Sequence, residues 1–240
     1  MLVEVCANSM ESAQAALNAG ADRIELCAEL SVGGVTPSYG LLKKVMDTVP
    51  ITTHVLVRPR SGHFTYTDAE FESMLNDIDL CRELGVHGVV SGVLLPDARL
   101  DLARTQQLID RAKGMAFTFH RAFDWVPDPE ATLKKLETIG VDWVLTSGQA
   151  HSAEEGLGLL KRLQAQVQHI KIMPGAGVKA ANAKLFKEAG FAAMHLSGSS
   201  LVPFQGQVGN IPMSASSNPK DDSILYSNEK LLRQVLDLVK

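Results

Sequence analysis

Four places along the chain repeat one short pattern, a glycine followed by two residues that lead into an apolar segment. The repeats are Gly20-Ala21-Asp22, Gly85-Val86-His87, Gly140-Val141-Asp142 and Gly190-Phe191-Ala192. Glycine readily adopts the left-handed backbone conformation that ends many helices. Each repeat therefore predicts the end of a helix and the start of a strand.

Eight short apolar segments typical of strands alternate with segments of helical periodicity along the chain. The predicted strands are residues 2–6, 23–27, 52–57, 88–91, 115–119, 142–146, 170–173 and 192–197. This alternation predicts an α/β fold with a parallel sheet, and 240 residues are close to the roughly 250 of a (β/α)8 barrel. Because the glycine pattern precedes every second strand, it favours a closed TIM-type barrel; an open doubly wound sheet is the alternative.

The end of the chain departs from this alternation. Residues 199–228 are rich in Ser, Pro, Gly and Asn, which predicts an irregular C-terminal tail. Residues 229–239 carry leucines and valines on one helical face, which predicts a terminal amphipathic helix. We therefore expect a single domain over residues 1–240, with the barrel at about 1–200 and the tail and helix at 201–240.

Composition narrows the classes of partner. Hydrophobic residues make up 45% of the chain, charged residues 21%, and the formal net charge is −4. No block of like charge and no apolar run of membrane-spanning length is present in the sequence, so we expect neither nucleic acid nor a membrane as a partner. The N-terminal segment lacks signal-peptide features, and we expect the three cysteines to be thiols.

The strand pattern also predicts what faces the barrel lumen, because successive side chains of a strand point to opposite faces. The residues expected in the lumen are polar or charged: Glu4, Cys6, Glu25, Cys27, His54, Arg58, His120, Lys171, His195 and Ser197. Barrel interiors are normally filled by branched apolar side chains, and buried charges are costly unless they are paired. The lumen therefore predicts either an ion-pair network or a functional site.

The segment from Thr118 to Asp124 ends predicted strand five and places a histidine, an arginine and an aspartate within five residues. Active sites of TIM barrels lie at the carboxyl ends of the strands. We therefore expect His120 at the mouth of the lumen, with Arg121 and Asp124 on the following loop. A solvated histidine at a strand end is the alternative.

Two cysteines of neighbouring strands are candidate metal ligands. Neighbouring strands lie about 4.8 Å apart, so the thiols of Cys6 and Cys27 are predicted to lie close enough to share a soft metal such as Cu(I). Two small buried thiols without a metal are the alternative. Cys81 falls on a predicted helix, in the core.

Acid–base chemistry is a second candidate function. The candidate proton-transfer groups are Glu25, His120 and Glu4, and the candidate anion-binding groups are Arg58, Arg60 and Arg121. Arginines bind carboxylates and phosphates through paired N–H donors. The set fits proton abstraction or aldol-type chemistry on an anionic substrate.

Glycine-rich turns follow predicted strands seven and eight, where TIM barrels often bind phosphate through backbone N–H groups. The residues predicted to contribute there are Gly175, Gly177, Ser197 and Gly198.

Several stretches within residues 1–200 together match a known family. They are Glu4-Val5-Cys6, Gly20 to Cys27, Gly33 to Ser38, Arg58-Pro59-Arg60, Thr118 to Asp124, Leu145 to Gly148 and Gly175 to Val178. On these residues the chain resembles the CutC family, called copper homeostasis proteins. The resemblance implies a TIM-type barrel, a cytoplasmic homo-oligomer (dimer or tetramer), and a Cu(I) site on Cys6 and Cys27.

The chain departs from the family pattern in the loop after strand three. The family's Arg-Pro-Arg-Gly-Gly-Asp-Phe reads here with Ser61 for a glycine and His63 for the aspartate. After strand four, Asp97-Ala98 replaces the usual Asp-Gly. Two hypotheses result: a Cu(I)-binding copper homeostasis protein, or an enzyme acting on a small anionic metabolite, a class that includes phosphorylated metabolites.

Overall fold

The computed structural model describes residues 1–209, 211 and 221–240. Eight parallel strands form a ring in the order β7-β6-β5-β4-β3-β2-β1-β8, so the first strand lies between the second and the last. The strands are β1 (Leu2–Ala7), β2 (Arg23–Leu26), β3 (Thr52–Leu56), β4 (Gly88–Ser91), β5 (Ala116–Phe119), β6 (Trp143–Thr146), β7 (Lys171–Pro174) and β8 (Ala193–Leu196). This order confirms the TIM-type barrel, and the open-sheet alternative is wrong.

Helices connect successive strands on the outside of the ring. They are α1 (Met10–Ala19), α2 (Tyr39–Thr48), α3 (Asp68–Glu83), α4 (Leu102–Arg111), α5 (Pro129–Thr138), α6 (Leu157–Ala165) and α7 (Ala183–Glu188), with α8 (Glu229–Val239) at the C-terminus. Two short 3₁₀ helices span Leu30–Val32 and Arg121–Trp125. Among the described residues, no helix combines the length and the apolarity needed to cross a membrane.

The glycine repeats have the predicted backbone conformation and an additional role in strand pairing. The glycines at positions 20, 85, 140 and 190 have φ values of 87°, 72°, 86° and 78°. Two residues later, the side chains of Asp22, His87 and Asp142 each accept the N–H of a residue on the preceding strand, at 2.7 Å, 3.2 Å and 2.7 Å. In three of the four repeats, the tripeptide therefore ends a helix and also links two neighbouring strands through a side-chain hydrogen bond.

The two faces of the strands divide the interior into an apolar and a polar part. Residues such as Val3, Val5 and Ile24 are fully buried in one continuous hydrophobic cluster with the helices. Burial of such side chains stabilises the fold by about 25 cal/mol per Å² of apolar surface. The opposite face carries the polar residues of the lumen, among them Glu4, Glu25 and His120.

The prediction of an irregular tail is wrong for two five-residue segments of residues 199–228, whereas the described residues 204–209, 211 and 221–222 carry no helix or strand. β9 (Ser199–Pro203) and β10 (Ser223–Ser227) form an antiparallel pair. Asn8 and Ser12 bind this pair to the barrel through hydrogen bonds to Leu225 and Ser227. The two strands pair across a long separation in sequence, which short-range periodicity does not reveal. Residues 210 and 212–220 of the predicted tail lie outside the described residues, and the terminal helix is confirmed.

Candidate active site

A cavity of about 230 Å³, which we call the Glu25 cavity, opens at the carboxyl ends of the strands. Its polar lining consists of Cys6, Glu25, Arg58, His120, Arg121 and His195. Five of these residues were proposed as site residues from the sequence, and His195 was expected in the lumen without a role. The apolar walls formed by Phe64 and Trp125 were not expected. For Trp125, the sequence signal was an aromatic side chain four residues after Arg121.

Glu4 lies two residues before Cys6 on β1 and does not line this cavity. Its carboxylate accepts a 2.5 Å hydrogen bond from Arg23 Nε and lies 2.8 Å from His195 Nδ1. Burial raises the pKa of Glu4, but the His195 hydrogen bond and the Arg23 charge outweigh it and lower the pKa to about 2. Glu4 is therefore a permanently charged group that orients His195, rather than a proton-transfer group.

Glu25 lies on the neighbouring strand in different surroundings. Its Oε2 atom has no hydrogen-bond partner among residues 1–209, 211 and 221–240, and His195 Nδ1 is 3.6 Å away, beyond hydrogen-bond distance. Burial, assisted by the Glu4 charge, outweighs the attraction of His195 and Arg23 and raises the pKa of Glu25 to about 7. Glu25 therefore has the protonation equilibrium of a general acid–base group at neutral pH.

His195 is the positively charged member of this group. Burial opposes its charge, but the hydrogen bonds with Cys6 and Glu4, together with the Glu25 and Glu4 carboxylates, raise its pKa well above the usual value. The ligand-type atoms of Glu4, Glu25 and His195 lie within 4.8 Å of one another. Since Arg23 and His195 already neutralise Glu4, the geometry fits a hydrogen-bonded ion cluster.

His120 directly follows β5, and its ring lies in the cavity wall. Its Nδ1 accepts the Ala122 N–H at 3.2 Å, so the ring proton lies on Nε2, an atom without a partner in the described part of the chain. Burial and the Arg58 charge lower the pKa of His120 to about 3, which keeps the imidazole neutral. The ring fits because position 92 is glycine: a Cβ there would lie 2.7 Å from His120 Nδ1.

Arg58 and Arg60 are both candidate anion-binding residues, but their guanidinium groups bind different parts of the protein. Arg58 is buried and donates to the carbonyl oxygens of Val32, Gly34 and Gly62 at 2.7–2.9 Å. Its Nε is buried and has no partner within the described ranges, and the Arg58 side chain lines the cavity.

Arg60 pairs with Glu70 of α3 at 2.5 Å and also binds loop carbonyl oxygens. It does not line the cavity. Its position is that of a residue that fastens the loop to the helix, so the structure separates it from the other proposed anion-binding arginines.

Arg121 and Asp124 connect the short helix after β5 to the loop after β6. Arg121 Nε donates to Asp124 at 2.8 Å, and its Nη2 donates to Ser147 Oγ at 3.1 Å. Asp124 also accepts the hydroxyl of Thr146 at 2.5 Å and the backbone N–H of Ser147 at 3.0 Å. Asp124 therefore orients Arg121 at the cavity.

The two lumen cysteines are close together, with Sγ atoms 3.4 Å apart. Cys6 lines the cavity, whereas Cys27 is fully buried. The hydrogen bond with Cys27 and burial raise the pKa of the Cys6 thiol well above its usual value. The donor types fit a soft ion, but metal–thiolate bonds of about 2.3 Å place a linear pair of sulfurs roughly 4.6 Å apart, so the thiols must separate or a third donor must join them.

The four glycine-loop residues do not line the Glu25 cavity. Gly175 supports its wall, because a Cβ there would lie 2.4 Å from Leu145 Cδ1, whereas Gly177 lies beside Ser152. Ser197 and Gly198 line a separate hollow of about 330 Å³ against α8. Lys171, predicted in the lumen, is exposed, with Nζ 4.9 Å from the centroid of the Trp143 ring. It begins β7, so it lies at the end of the barrel opposite the cavity.

Comparison with known proteins identifies the family. The model of the CutC family matches residues 1–200. A family protein CutC from Enterobacter sp. (strain 638) is 45% identical over 221 residues, covering 92% of this chain and 90% of that protein. One from Pasteurella multocida (strain Pm70) is 49% identical over 200 residues, covering 82% of each.

A match to a solved structure indicates the same family as these relatives. The crystal structure of a proposed copper homeostasis protein, CutC from Streptococcus agalactiae, has 32% sequence identity and a TM-score of 0.77. The match covers 82% of this chain and 98% of that chain. On these matches, the chain belongs to the CutC family.

Proposed function

We propose that this protein is an enzyme that binds a small anionic metabolite in the Glu25 cavity and removes a proton from it or returns one to it. One observation carries the proposal. Glu25, His120 and Arg58 come from different strands or strand ends and line the same cavity, and each has one buried polar atom (Glu25 Oε2, His120 Nε2 and Arg58 Nε) without a hydrogen-bond partner in the part of the chain that the structure describes. A buried polar atom without a partner is costly, and a polar ligand would satisfy all three.

The protonation states assign the roles. Glu25, with a pKa of about 7, removes or returns a proton. His120, with a pKa of about 3, stays neutral and donates its Nε2–H to the oxygen on which negative charge develops. Arg58 and Arg121 bind the anionic group of the substrate. This set fits proton abstraction next to a carbonyl group, alone or before aldol-type bond formation.

Glu4, Arg23 and His195 form an inner cluster that sets the pKa of Glu25, and of these three only His195 lines the cavity. Glu4 and Arg23 form a buried ion pair at 2.5 Å, and Glu4 holds the imidazolium of His195 beside Glu25. The positive charge of His195 limits the rise in the pKa of Glu25. Glu25 can therefore ionise at neutral pH despite its burial.

Proton abstraction can be measured without knowing the full reaction. In D₂O, we expect catalysed deuterium incorporation next to the carbonyl of at least one small anionic probe among pyruvate, 2-oxobutyrate and dihydroxyacetone phosphate, followed by NMR. Glu25→Gln should reduce the exchange rate by about 100-fold or more. Glu72→Gln, at an exposed position on α3, is the matched control and should exchange at the wild-type rate. Equal rates in the wild type and Glu25→Gln would contradict the proposal.

A second candidate function is Cu(I) binding, favoured by the 3.4 Å separation of the Cys6 and Cys27 sulfurs. The two thiolates, with His195 as the adjacent nitrogen donor, would hold the ion in a soft-ligand site. An anaerobic Cu(I) titration against a competing chelator tests this. We expect tight uptake that is lost in Cys6→Ser/Cys27→Ser and retained in Cys81→Ser; equal weak uptake by all three proteins would count against it.

We further infer from the family resemblance that the protein is a cytoplasmic homo-oligomer. The β9–β10 pair presents Leu201, Phe204 and Ile224 to solvent, which supports a contact between copies. Sedimentation analysis should give a mass above the 25.9 kDa of one chain, and Phe204→Ser should lower it if this surface forms the contact.

A further inference from the structure

We propose that the substrate of the Glu25 cavity is amphipathic, with an apolar chain or ring attached to its anionic end. This inference rests on the proposed function and adds the class of substrate. It follows from a second hollow of about 400 Å³ beside the cavity. We call this hollow the apolar vestibule; its main walls are Phe64, Leu94, Leu95, Pro96 and Trp125.

The vestibule and the cavity adjoin each other, because Phe64 and Trp125 line both. The two rings meet nearly edge-on, with centroids 4.9 Å apart and an interplanar angle of 68°. Phe64 also contacts the His120 ring, at 4.8 Å between centroids. A ligand bound at His120 and extending outward therefore passes along these two aromatic rings.

Trp125 is 54% exposed, although indole rings are usually largely buried. The short helix Arg121–Trp125 holds it in place, and that helix begins with the His120 side chain accepting the Ala122 N–H. The same turn of chain thus positions a proposed catalytic residue, an anion-binding arginine and an exposed aromatic ring. An exposed aromatic ring on such a fixed support is suited to contact a ligand.

The opposite wall of the vestibule is also preformed. Leu94 N–H donates to the Phe64 carbonyl oxygen at 2.9 Å, and Leu95 N–H donates to the Arg99 carbonyl oxygen at 2.8 Å. Within this turn Ala98 has a φ of 63°, a left-handed conformation that non-glycine residues rarely adopt. Strained backbone of this kind is concentrated at ligand sites.

The chemistry of the two hollows defines the ligand. The cavity offers N–H donors from Arg58, Arg121 and His120 for an anion, whereas the vestibule offers mainly carbon surface. Each methylene buried against such surface strengthens binding about fourfold. A carboxylate or phosphate bearing an alkyl chain or an aryl ring satisfies both hollows.

Calorimetric titration of the intact protein with acetate, hexanoate, 3-phenylpropanoate and 1-hexanol tests this. We expect hexanoate and 3-phenylpropanoate to bind at least tenfold more tightly than acetate. In Trp125→Ser this preference should fall below threefold, with acetate affinity unchanged. Tyr39→Ser, which removes an equally exposed aromatic ring from α2, should retain the wild-type preference.

The outcomes separate this inference from the proposed function. Equal affinities for acetate and hexanoate would overturn the vestibule alone. Hexanol binding as tightly as hexanoate would overturn the requirement for an anionic group, and with it the proposed function, while the apolar subsite would stand. We expect a dissociation constant of about 10 mM or tighter for an anion site of this kind. If no probe binds at about 10 mM, the vestibule and the proposed function are both overturned.

Discussion

The lumen of the barrel holds two glutamates on neighbouring strands, and their surroundings are opposite. Glu4 is bonded to Arg23 and His195, and its pKa is lowered to about 2. Glu25 has an oxygen without a partner within the described ranges, lines a cavity, and has a pKa raised to about 7. Both are almost completely buried, so burial alone does not distinguish them.

The difference between Glu4 and Glu25 shows that a buried polar atom without a hydrogen-bond partner indicates a functional site better than a charged residue in the lumen does. The cluster of Glu4, Arg23 and His195 satisfies its own charges and supports the fold. The outer residues Glu25, His120 and Arg58 each retain an atom without a partner among the described residues. The following predictions test this division between an inner structural cluster and an outer site.

The largest effect is expected from breaking the inner ion pair. Arg23→Ala leaves Glu4 buried with less compensation and should lower the free energy of unfolding by about 3–5 kcal/mol, measured by urea denaturation. The control is Arg99→Ala, which removes an exposed ion pair with Asp97 and should cost less than about 1 kcal/mol. Similar losses in both variants would show that the inner cluster is not structural.

Removing the charge of Glu25 should raise stability, in contrast to the loss expected for Arg23→Ala. Its folded pKa of about 7 exceeds the usual 4.5, so its stabilising contribution is complete below pH 4.5 and is lost as the pH rises through 7. Glu25→Gln should therefore be more stable than the wild type by about 3 kcal/mol at pH 8, and the difference should be small at pH 4.5. A difference that does not change between these pH values in urea denaturation would argue against the raised pKa.

His120 should make the protein sensitive to acid. Its folded pKa of about 3 lies below the usual 6.5, so its contribution is complete above pH 6.5 and is lost as the pH falls toward 3. Between pH 7 and pH 5, His120→Asn should lose about 2 kcal/mol less stability than the wild type. Equal losses of stability in His120→Asn and the wild type between these pH values, measured by urea denaturation, would contradict the lowered pKa of His120.

The smallest effect concerns the wall of the apolar vestibule. Ala98→Gly relieves the left-handed backbone at φ 63° and should raise stability by about 0.5–1 kcal/mol, since the strain slightly exceeds the entropic cost of glycine. Ala131→Gly, on the exposed face of α5, should instead cost about 1 kcal/mol. Thermal denaturation of the two variants should therefore give shifts of opposite sign; a loss in both would show that Ala98 is unstrained.

Much of the candidate site was predictable from strand alternation, which is a local property. The inward position of Glu25 follows from the apolar residues on either side of it in β2. The inward positions of Arg58 and His120 follow when the alternation of β3 and β5 is continued one or two residues past the strand ends. Arg60 is different, since it follows a strand and its partner Glu70 lies on the next helix. The sequence did not reveal that Phe64 and Trp125 form adjoining walls of one cavity, because their contact depends on the packing of two loops against each other.

The sequence by itself determined the barrel, the glycine-marked helix ends, the terminal helix and the polar lumen, because these depend on backbone preference and on periodicity over a few residues. The tertiary structure decided which glutamate is paired and which is not. His195 reaches Glu4 across 191 residues of chain, and the cavity walls come from loops after several different strands. Hydrogen-bond partners at such separations arise only when the ring of strands closes, so the difference between Glu4 and Glu25 is a property of the closed barrel.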